Sequence, residues 1–477
     1  MLYEGRICRP SFEKGAFKLP ISVGCSYNAC KFCCLFKYLN FREINDNIIF
    51  EEVDKVKNAS GKPKVCFLGD GNAFHNKTER LVKIITYVKE NIKSIEKFNM
   101  DATISDIKEK NDGELEQLAS LGVNILYIGI ETGLDEVLSF MNKEHSTMNE
   151  AFEQIMRLER HGIKYSAHIM AGVSGKGNGI KNAIALAEFF NNTKPISITN
   201  FTMFTSRKQK LYKDIVEGKF EVATEIESLC EMKELINKIN IDTYIDSFHD
   251  YIPFRVKGHL PFDKEKLINQ IDNMINKMQL NDNVKIYLIS DSKQKEDVLN
   301  RAGYNFEVIN EMNNISLSGK TFDKELLNAA AKDILNDSLK EYNKNHNIEN
   351  PSMIVSSVKA VVFEDKILGK PKDRDEAYHM LKMLSGKKHI VSSSLCVLYN
   401  GEYYIQNEKT EVYFYNLSDD VIYRYIDNAK PYDKCGGYDI QDEYFDFDEN
   451  YVGSYNNLTG FPLGSFINII TECDYGK

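Results

Sequence analysis

Gly24-Cys25-Ser26-Tyr27-Asn28-Ala29-Cys30-Lys31-Phe32-Cys33-Cys34 sets three thiols, Cys25, Cys30 and Cys33, four and then two residues apart in one short loop. This spacing reads as a nest for a single iron–sulfur cluster. A cubane cluster normally takes one thiolate per iron, so a local set of three leaves one iron open to a small-molecule ligand. Cys34 adjoins Cys33, and neighbouring side chains rarely aim at one centre, so it reads as a bystander. Zinc is the rival occupant, because thiolates suit it equally well. A zinc knuckle wants a second Cys-x-x-Cys or a paired His close by, and neither follows. Cys8, Cys66, Cys230, Cys396, Cys435 and Cys473 are scattered singly and read as small buried hydrophobes.

With the aromatic Phe32 just before the third cysteine, the loop resembles the cluster motif of the radical S-adenosylmethionine (SAM) superfamily. The commonest family spacing is three then two. The extra residue in the first gap here is shared by a branch carrying Gly-Cys-Ser-x-Asn-x-Cys-x-Phe-Cys. The resemblance implies a [4Fe–4S] cluster on Cys25, Cys30 and Cys33, with SAM bound at the open iron through its amino and carboxylate groups. It implies reductive cleavage of SAM to a 5′-deoxyadenosyl radical, and a low-potential electron donor such as a flavodoxin or ferredoxin.

The chain's 477 residues, 43% of them hydrophobic, suffice for two or three domains with substantial cores. No stretch reaches the roughly 18 unbroken apolar residues of a membrane span. Glu4, Arg6, Arg9, Glu13 and Lys14 interrupt the opening where a signal peptide would be apolar. A cytoplasmic, reducing location is expected, which suits free thiols. A net charge of −10 argues against a broad non-specific contact with nucleic acid. Only 10 prolines and no Ser/Gly-rich tract point to a chain without a long linker.

Short apolar runs at 21–25, 65–70, 99–104, 125–130, 165–172 and 197–204 predict six strands. Segments with three- and four-residue apolar steps lie between them, such as Leu81, Ile84, Ile85, Val88 and Ile92. Strand and helix alternating six times predict an α/β fold, a partial (β/α)6 barrel like part of a TIM barrel, over 1–210. Ligands bind at the C-terminal strand ends of such sheets. The second strand ends in Gly69-Asp70-Gly71-Asn72, whose glycines expose backbone to a ligand. The resemblance places the segment meeting the SAM amino group here. Glu131 ends the fourth strand, where the family commonly has a polar or acidic residue near the SAM ribose and carboxylate. Ser105 and Asp106, ending the third, are candidates for the ribose hydroxyls, and Phe32 belongs to the same cofactor set. His168, inside the fifth strand, reads first as a satisfied core residue and second as a catalyst. Gly172-Val173-Ser174-Gly175-Lys176-Gly177 lacks the fixed order of a phosphate loop.

From 211 to 280 the pattern reads as a helical extension of the barrel, with His249 and His259 in a loop. The polar cluster Gln279-Leu280-Asn281-Asp282-Asn283 reads as a boundary. The second domain, 284–477, resembles the Maf family, nucleotide pyrophosphatases of an inosine-triphosphatase-like α/β fold. Several blocks carry the match in order: Ile367-Leu368-Gly369-Lys370-Pro371-Lys372-Asp373, Leu417-Ser418-Asp419, Asp433-Lys434-Cys435-Gly436-Gly437-Tyr438-Asp439-Ile440-Gln441, Gly453-Ser454-Tyr455-Asn456-Asn457-Leu458 and Gly460-Phe461-Pro462-Leu463. The resemblance implies nucleotide binding through Ser290, Ser292, Lys332, Lys370 and Gln441. It departs from the family where Lys293-Gln294-Lys295 replaces Pro-Arg-Arg, removing the fork of the first arginine. Val358 falls where the catalytic aspartate belongs, and the early acidic position falls near Asn313-Asn314. A valine neither binds a metal nor takes a proton, so little or no pyrophosphatase activity is expected.

Three readings follow. The first is a radical SAM enzyme acting on a small-molecule or nucleotide substrate, whose degenerate Maf-like domain binds or presents a nucleotide-like substrate or simply supports assembly. The second keeps a residual pyrophosphatase, with Asp291, Glu296 or Asp297 as replacement acid. The third is a non-catalytic protein with a structural iron–sulfur or zinc site. No second cysteine group argues for an auxiliary cluster, and the 24 residues before Cys25 are too few for a cobalamin-binding domain.

Overall fold

The computed structural model describes residues 13–475 apart from 38, 60, 146, 250, 281, 282, 313, 314 and 446, so Cys8, Asn281, Asp282 and Asn313-Asn314 lie outside the described residues. The N-terminal strands are β1 (Phe17–Pro20), β2 (Ser22–Val23), β3 (Arg42–Glu43), β4 (Val65–Gly69), β5 (Lys97–Ala102), β6 (Val123–Glu131), β7 (Lys164–Ala171), β8 (Ser197–Thr202), β9 (Thr243–His249) and β10 (Phe254–Leu260). An 8-stranded sheet runs β1-β4-β5-β6-β7-β8-β9-β10. Its strands are parallel from β1 to β9, and β10 is antiparallel to β9. Apolar residues fill it because parallel strands are covered on both faces: Phe67, Leu68, Met100, Ile128 and Ile198 are buried.

Two expectations need correcting. The first barrel strand is Phe17–Pro20, not 21–25; Ser22 and Val23 instead pair with Glu43 and Arg42, a small antiparallel ribbon that closes the base of the cysteine loop. The stretch 211–280 does not stay helical. It holds helices Lys210–Val216, Glu225–Lys238 and Lys264–Met278, but β9 and β10 lie between and extend the sheet. His249 and His259 therefore sit on strands rather than in a loop.

The second sheet contains β11 (Lys285–Ile289), β12 (Phe306–Ile309), β13 (Ser352–Phe363), β14 (Lys366–Leu368), β15 (Lys388–Tyr399), β16 (Glu402–Phe414) and β17 (Asp448–Val452). Its order is β12-β11-β13-β15-β16-β17, with β14 beside β13. β11 is parallel to β12 and β13, whereas β15 and β16 form a long antiparallel ladder.

The two halves share one apolar core. Leu267, Ile271 and Met278 from the helix after β10 belong to the same buried cluster as Leu288, Leu299, Phe466 and Ile470 from the second half. A polar knot lies in the seam. Glu225 is buried, with Arg301 Nε 2.8 Å from one carboxylate oxygen and His249 Nε2 2.9 Å from the other. The Arg301 guanidinium also lies 3.4 Å over the Tyr251 ring and donates to Asn456 Oδ1 at 2.8 Å. Burial pushes the Glu225 carboxyl up, but His249 and Arg301 outweigh it and hold the group below the usual carboxylate range.

Candidate active site

The cysteine loop lies at the C-terminal ends of the barrel strands, stitched there by backbone contacts. Gly71 packs so closely on the Gly24 carbonyl that an added Cβ would stand 1.9 Å from its oxygen, and its φ is +66°. Only glycine fits there. Ser22 Oγ donates to the Asp70 carbonyl at 2.9 Å. Ser26 N donates to Asn72 Oδ1 at 2.9 Å, and Asn72 Nδ2 donates to Ser26 Oγ at 2.7 Å. Thus Gly71 and Asn72 shape the loop that carries Cys25, and Asn72's amide is occupied in doing so. Asp70 is buried and 3.6 Å from Lys18 Nζ inside the barrel.

Cys25, Cys30 and Cys33 are partly buried. Burial pushes the Cys30 thiol up to about 12, against the pull of Lys143 and with Glu144, Glu131 and Cys33 adding to the rise. Cys33 is raised by burial as well, and Cys25 adds to it. Three thiols in one half-buried loop suit a cationic metal centre that takes them as thiolates. Among the described residues, the group of three candidate ligand atoms within 4.8 Å of one another is His75, Asp106 and Glu109, not the cysteines. Asp106 is already engaged: Oδ2 accepts from Asn72 Nδ2 at 2.9 Å and Thr103 N at 3.0 Å, and Oδ1 lies 2.8 Å from His75 Nδ1.

Ser105 and Asp106 do not end a strand; β5 stops at Ala102 and both lie in the short helix Ile104–Glu109. Ser105 Oγ donates to the Glu144 carbonyl at 3.1 Å. Glu131 ends β6 after a register shift, with φ +65°. Its Oε1 lies 3.5 Å from Lys143 Nζ, which is 3.0 Å from Glu144 Oε2; Glu144 Oε1 in turn is 3.1 Å from His145 Nδ1. Burial raises the Glu131 carboxyl, whereas Lys143 overrides burial at Glu144 and draws it down to about 2. Sequence reasoning missed Lys143. Its segment is bound to the cysteine loop by Lys31 N donating to the Met141 carbonyl at 2.9 Å, and by Tyr27 OH to the Asn142 carbonyl at 2.9 Å. Phe32 is buried in an apolar cluster with Leu134, Val137, Met141, Val173 and Met203. A groove of about 320 Å³ opens beside it, lined by the apolar Val137, Phe140, Val173 and Phe220 and by the charged Glu136, Lys176, Lys219 and Glu221.

Below the mouth, the barrel interior is polar on one side. Glu13 Oε1 accepts from Asn99 Nδ2 and Tyr127 OH, each at 2.6 Å. His168 stacks on Tyr127 at 5.8 Å and meets Phe201 edge-on at 5.6 Å. Its buried Nε2 has no hydrogen bond among the described residues. Burial and then the Lys143 charge push its pKa down to about 4, so the ring is neutral near pH 7.

In the second half, Ser292 N donates to Ser290 Oγ at 2.9 Å, and Ser292 Oγ to Gln294 Oε1 at 3.2 Å. Gln294 Nε2 donates to Asp439 Oδ2, and Asp439 Oδ1 accepts from Gln441 N at 3.0 Å. Lys295 Nζ donates to the Ser357 carbonyl at 2.7 Å, and Lys359 Nζ to the Leu458 carbonyl at 3.0 Å. Ser290, Ser292 and Gln441 thus gather round one rim, with Lys295 and Lys359 behind it. Lys332 Nζ lies 4.0 Å over the Tyr403 ring, and exposed Lys370 follows Gly369, whose carbonyl accepts from Gly436 N at 2.9 Å. Val358 is partly buried and packs against the apolar cluster of Leu317, Leu327, Ala330, Ala360, Val362 and Ile367. Of the candidate replacement acids, Asp291 Oδ1 accepts from Glu311 N at 3.1 Å, and Lys293 pairs with Glu296 at 3.0 Å and Asp297 at 4.0 Å.

The Radical SAM superfamily profile matches residues 19–187, and the Maf-like protein profile matches residues 285–473. The dTTP/UTP pyrophosphatase of Alkaliphilus oremlandii is 38% identical over 185 residues, covering 38% of this chain and 91% of that protein. That of Bdellovibrio bacteriovorus is 32% identical over 196 residues, covering 39% and 97%. Among solved structures, methylornithine synthase shares 17% identity at a TM-score of 0.35, covering 54% of this chain and 68% of that one, a likeness too slight to argue from. The protein is an enzyme of the radical SAM class. The chain belongs to the radical SAM superfamily in its N-terminal half and to the Maf family in its C-terminal half.

Proposed function

We infer that this protein uses a [4Fe–4S] cluster on Cys25, Cys30 and Cys33 to act on a nucleotide-like substrate held by a Maf-like half that no longer hydrolyses it. When bound, the cluster supplies the electron that cleaves SAM reductively and yields a 5′-deoxyadenosyl radical, a hydrogen-atom abstractor. The observation that carries the reading is the three-thiol loop fixed by Gly71 and Asn72 at the barrel mouth, beside the buried Glu131–Lys143 pair.

Within it, Lys143 is the cation for the SAM carboxylate, and Glu131 is the acceptor for a ribose hydroxyl or the amino group. Burial strengthens both interactions, because the local dielectric is low. Ser105, tied to the Glu144 carbonyl, positions that segment rather than reaching for ribose. Phe32 and the apolar cluster around it offer contact to the adenine. In the lumen, neutral His168 keeps a nitrogen for a polar substrate group.

The Maf-like half is read as a binding unit because the acid it would need is Val358, in an apolar setting. Phosphoryl chemistry there requires a carboxylate to hold magnesium or activate water. The names of its relatives make dTTP and UTP the first ligands to try. The reading also assigns the domains as 1–280 and 284–477, places the chain in the cytoplasm, and gives it a flavodoxin or ferredoxin as electron source.

The test is anaerobic reconstitution followed by iron analysis and electron paramagnetic resonance of the reduced protein. About four irons per chain and a signal that changes on adding SAM are expected. A single bound zinc, or a cluster signal indifferent to SAM, would contradict the reading.

A further inference from the structure

A cavity of about 440 Å³ opens in the Maf-like half, large enough for a small organic ligand. Two segments wall it. Residues 415–418 lead from β16 into the helix Asp419–Ala429, and Tyr444 and Phe447 lie just before β17. Tyr415 N donates to the Phe447 carbonyl at 2.9 Å and joins the two.

Three kinds of group line the cavity. The first is aromatic: Tyr425 and Phe447 are buried and meet edge-on at 4.8 Å, while Tyr415 and Tyr444 remain 40% and 47% exposed, so their rings are open to a ligand. The second is Arg424, the charged member of the lining, whose guanidinium makes no hydrogen bond or ion pair among the described residues. Acids on its own helix do not claim it. Asp427 pairs with Arg374 at 2.7 Å and Asp419 with Lys382 at 2.7 Å, and Asp420, one turn before Arg424, forms no ion pair with it. The third is the Asn416 amide, also without a hydrogen bond among the described residues. Its Oδ1 lies where an added Cβ on Gly386 would stand 2.1 Å away, so the glycine makes room for it.

We propose that this cavity is a second ligand site, for a nucleoside monophosphate. The exposed rings take the face of the base. The Asn416 amide, with a donor and an acceptor in one plane, meets the base edge, and the Arg424 fork takes the phosphate. The site does not depend on nucleotide binding at the rim of Ser290, Ser292 and Gln441. It does share a wall with that rim, because Tyr425 OH accepts from Asp439 N at 3.1 Å, and the Asp439 carboxylate accepts from Gln294 and from Gln441 N.

The test uses the absence of Trp from the chain: Tyr444→Trp places a single indole reporter at this cavity. The full-length reporter chain is titrated with UMP, uridine and inorganic phosphate. The titrations are repeated with Arg424→Ala, Arg424→Lys and a control, Lys344→Ala, whose exposed cation pairs with Glu341. A saturable change in emission with UMP is expected, weakened about tenfold by Arg424→Ala through loss of one charged phosphate contact. Arg424→Lys should recover part of the loss, uridine should not distinguish the Arg424 variants, and Lys344→Ala should match the reporter chain. Because the reporter replaces a wall residue, calorimetry with UMP repeats the comparison in chains that keep Tyr444. An emission change that Arg424→Ala leaves unaltered, or equal UMP affinity by calorimetry in Arg424→Ala and the unmodified chain, would overturn the site.

Discussion

Arg301 of the Maf-like half reaches 2.8 Å from Glu225 of the barrel half, inside a seam where both side chains are almost fully covered. An uncompensated buried carboxylate is costly, so removing one partner of such a pair destabilises by about 3–5 kcal/mol. Arg301→Ala also loses the contact with the Tyr251 ring and the bond to Asn456. It is expected to unfold at clearly lower urea, with both halves affected because they share one core. Unchanged urea midpoints would show that the seam does not bind the halves together.

Replacing Cys25, Cys30 or Cys33 by Ala is expected to abolish cluster assembly, while Cys34→Ala retains it. Iron content and visible absorbance after reconstitution read the difference. Loss of the chromophore in Cys34→Ala alone would mean that the ligand set is misassigned.

At the barrel mouth, Glu131→Ala and Lys143→Ala are expected to weaken SAM binding about tenfold while leaving cluster content near that of the unmodified chain. Lys143→Ala leaves Glu131 and Glu144 without their shared cation, so it should also lower thermal stability more than Glu131→Ala. Equilibrium titration with SAM checks the first point; identical affinities would remove both residues from the SAM site.

Asp101 gives the barrel interior a pH signature. Burial, then the neighbouring Asp70, pushes its carboxyl up to about 8, with Lys18 opposing. A carboxyl that binds its proton more tightly folded than unfolded, where its pKa is about 3.9, lowers stability as pH rises between those values. Above about pH 8 the penalty is complete. Asp101→Asn removes it, so the variant should gain a few degrees in Tm over the unmodified chain at pH 9 and little at pH 4. A constant difference between the two proteins across that range would refute this assignment.

Legibility followed the range of the interaction. Cys25, Cys30 and Cys33 lie within nine residues of sequence, so a local pattern alone proposes them as a set, and the turn Gly69 to Asn72 that packs on their loop is equally local. Lys143 was not, because its partner Glu131 is twelve positions away across a bulge and no periodicity links them. Strands β9 and β10 were hidden by flanking helices with stronger apolar spacing; only the pairing of β9 with β8, and of β10 with β9, makes them strands. Lys332 and Lys370 were named by motif; Lys332 Nζ meets the Tyr403 ring, and Lys370 follows Gly369, whose carbonyl is bonded to Gly436. The meeting of Phe204 with Tyr455 spans the two halves, and no local pattern announces it.

The central claim is radical SAM chemistry coupled to a nucleotide ligand. It is tested most directly by incubating the reconstituted protein anaerobically with dithionite and SAM and measuring 5′-deoxyadenosine, with and without dTTP, UTP and their monophosphates. Expected is 5′-deoxyadenosine that rises with one of these nucleotides, with no pyrophosphate released. No 5′-deoxyadenosine despite an intact cluster, or rapid pyrophosphate release from dTTP or UTP, would contradict it.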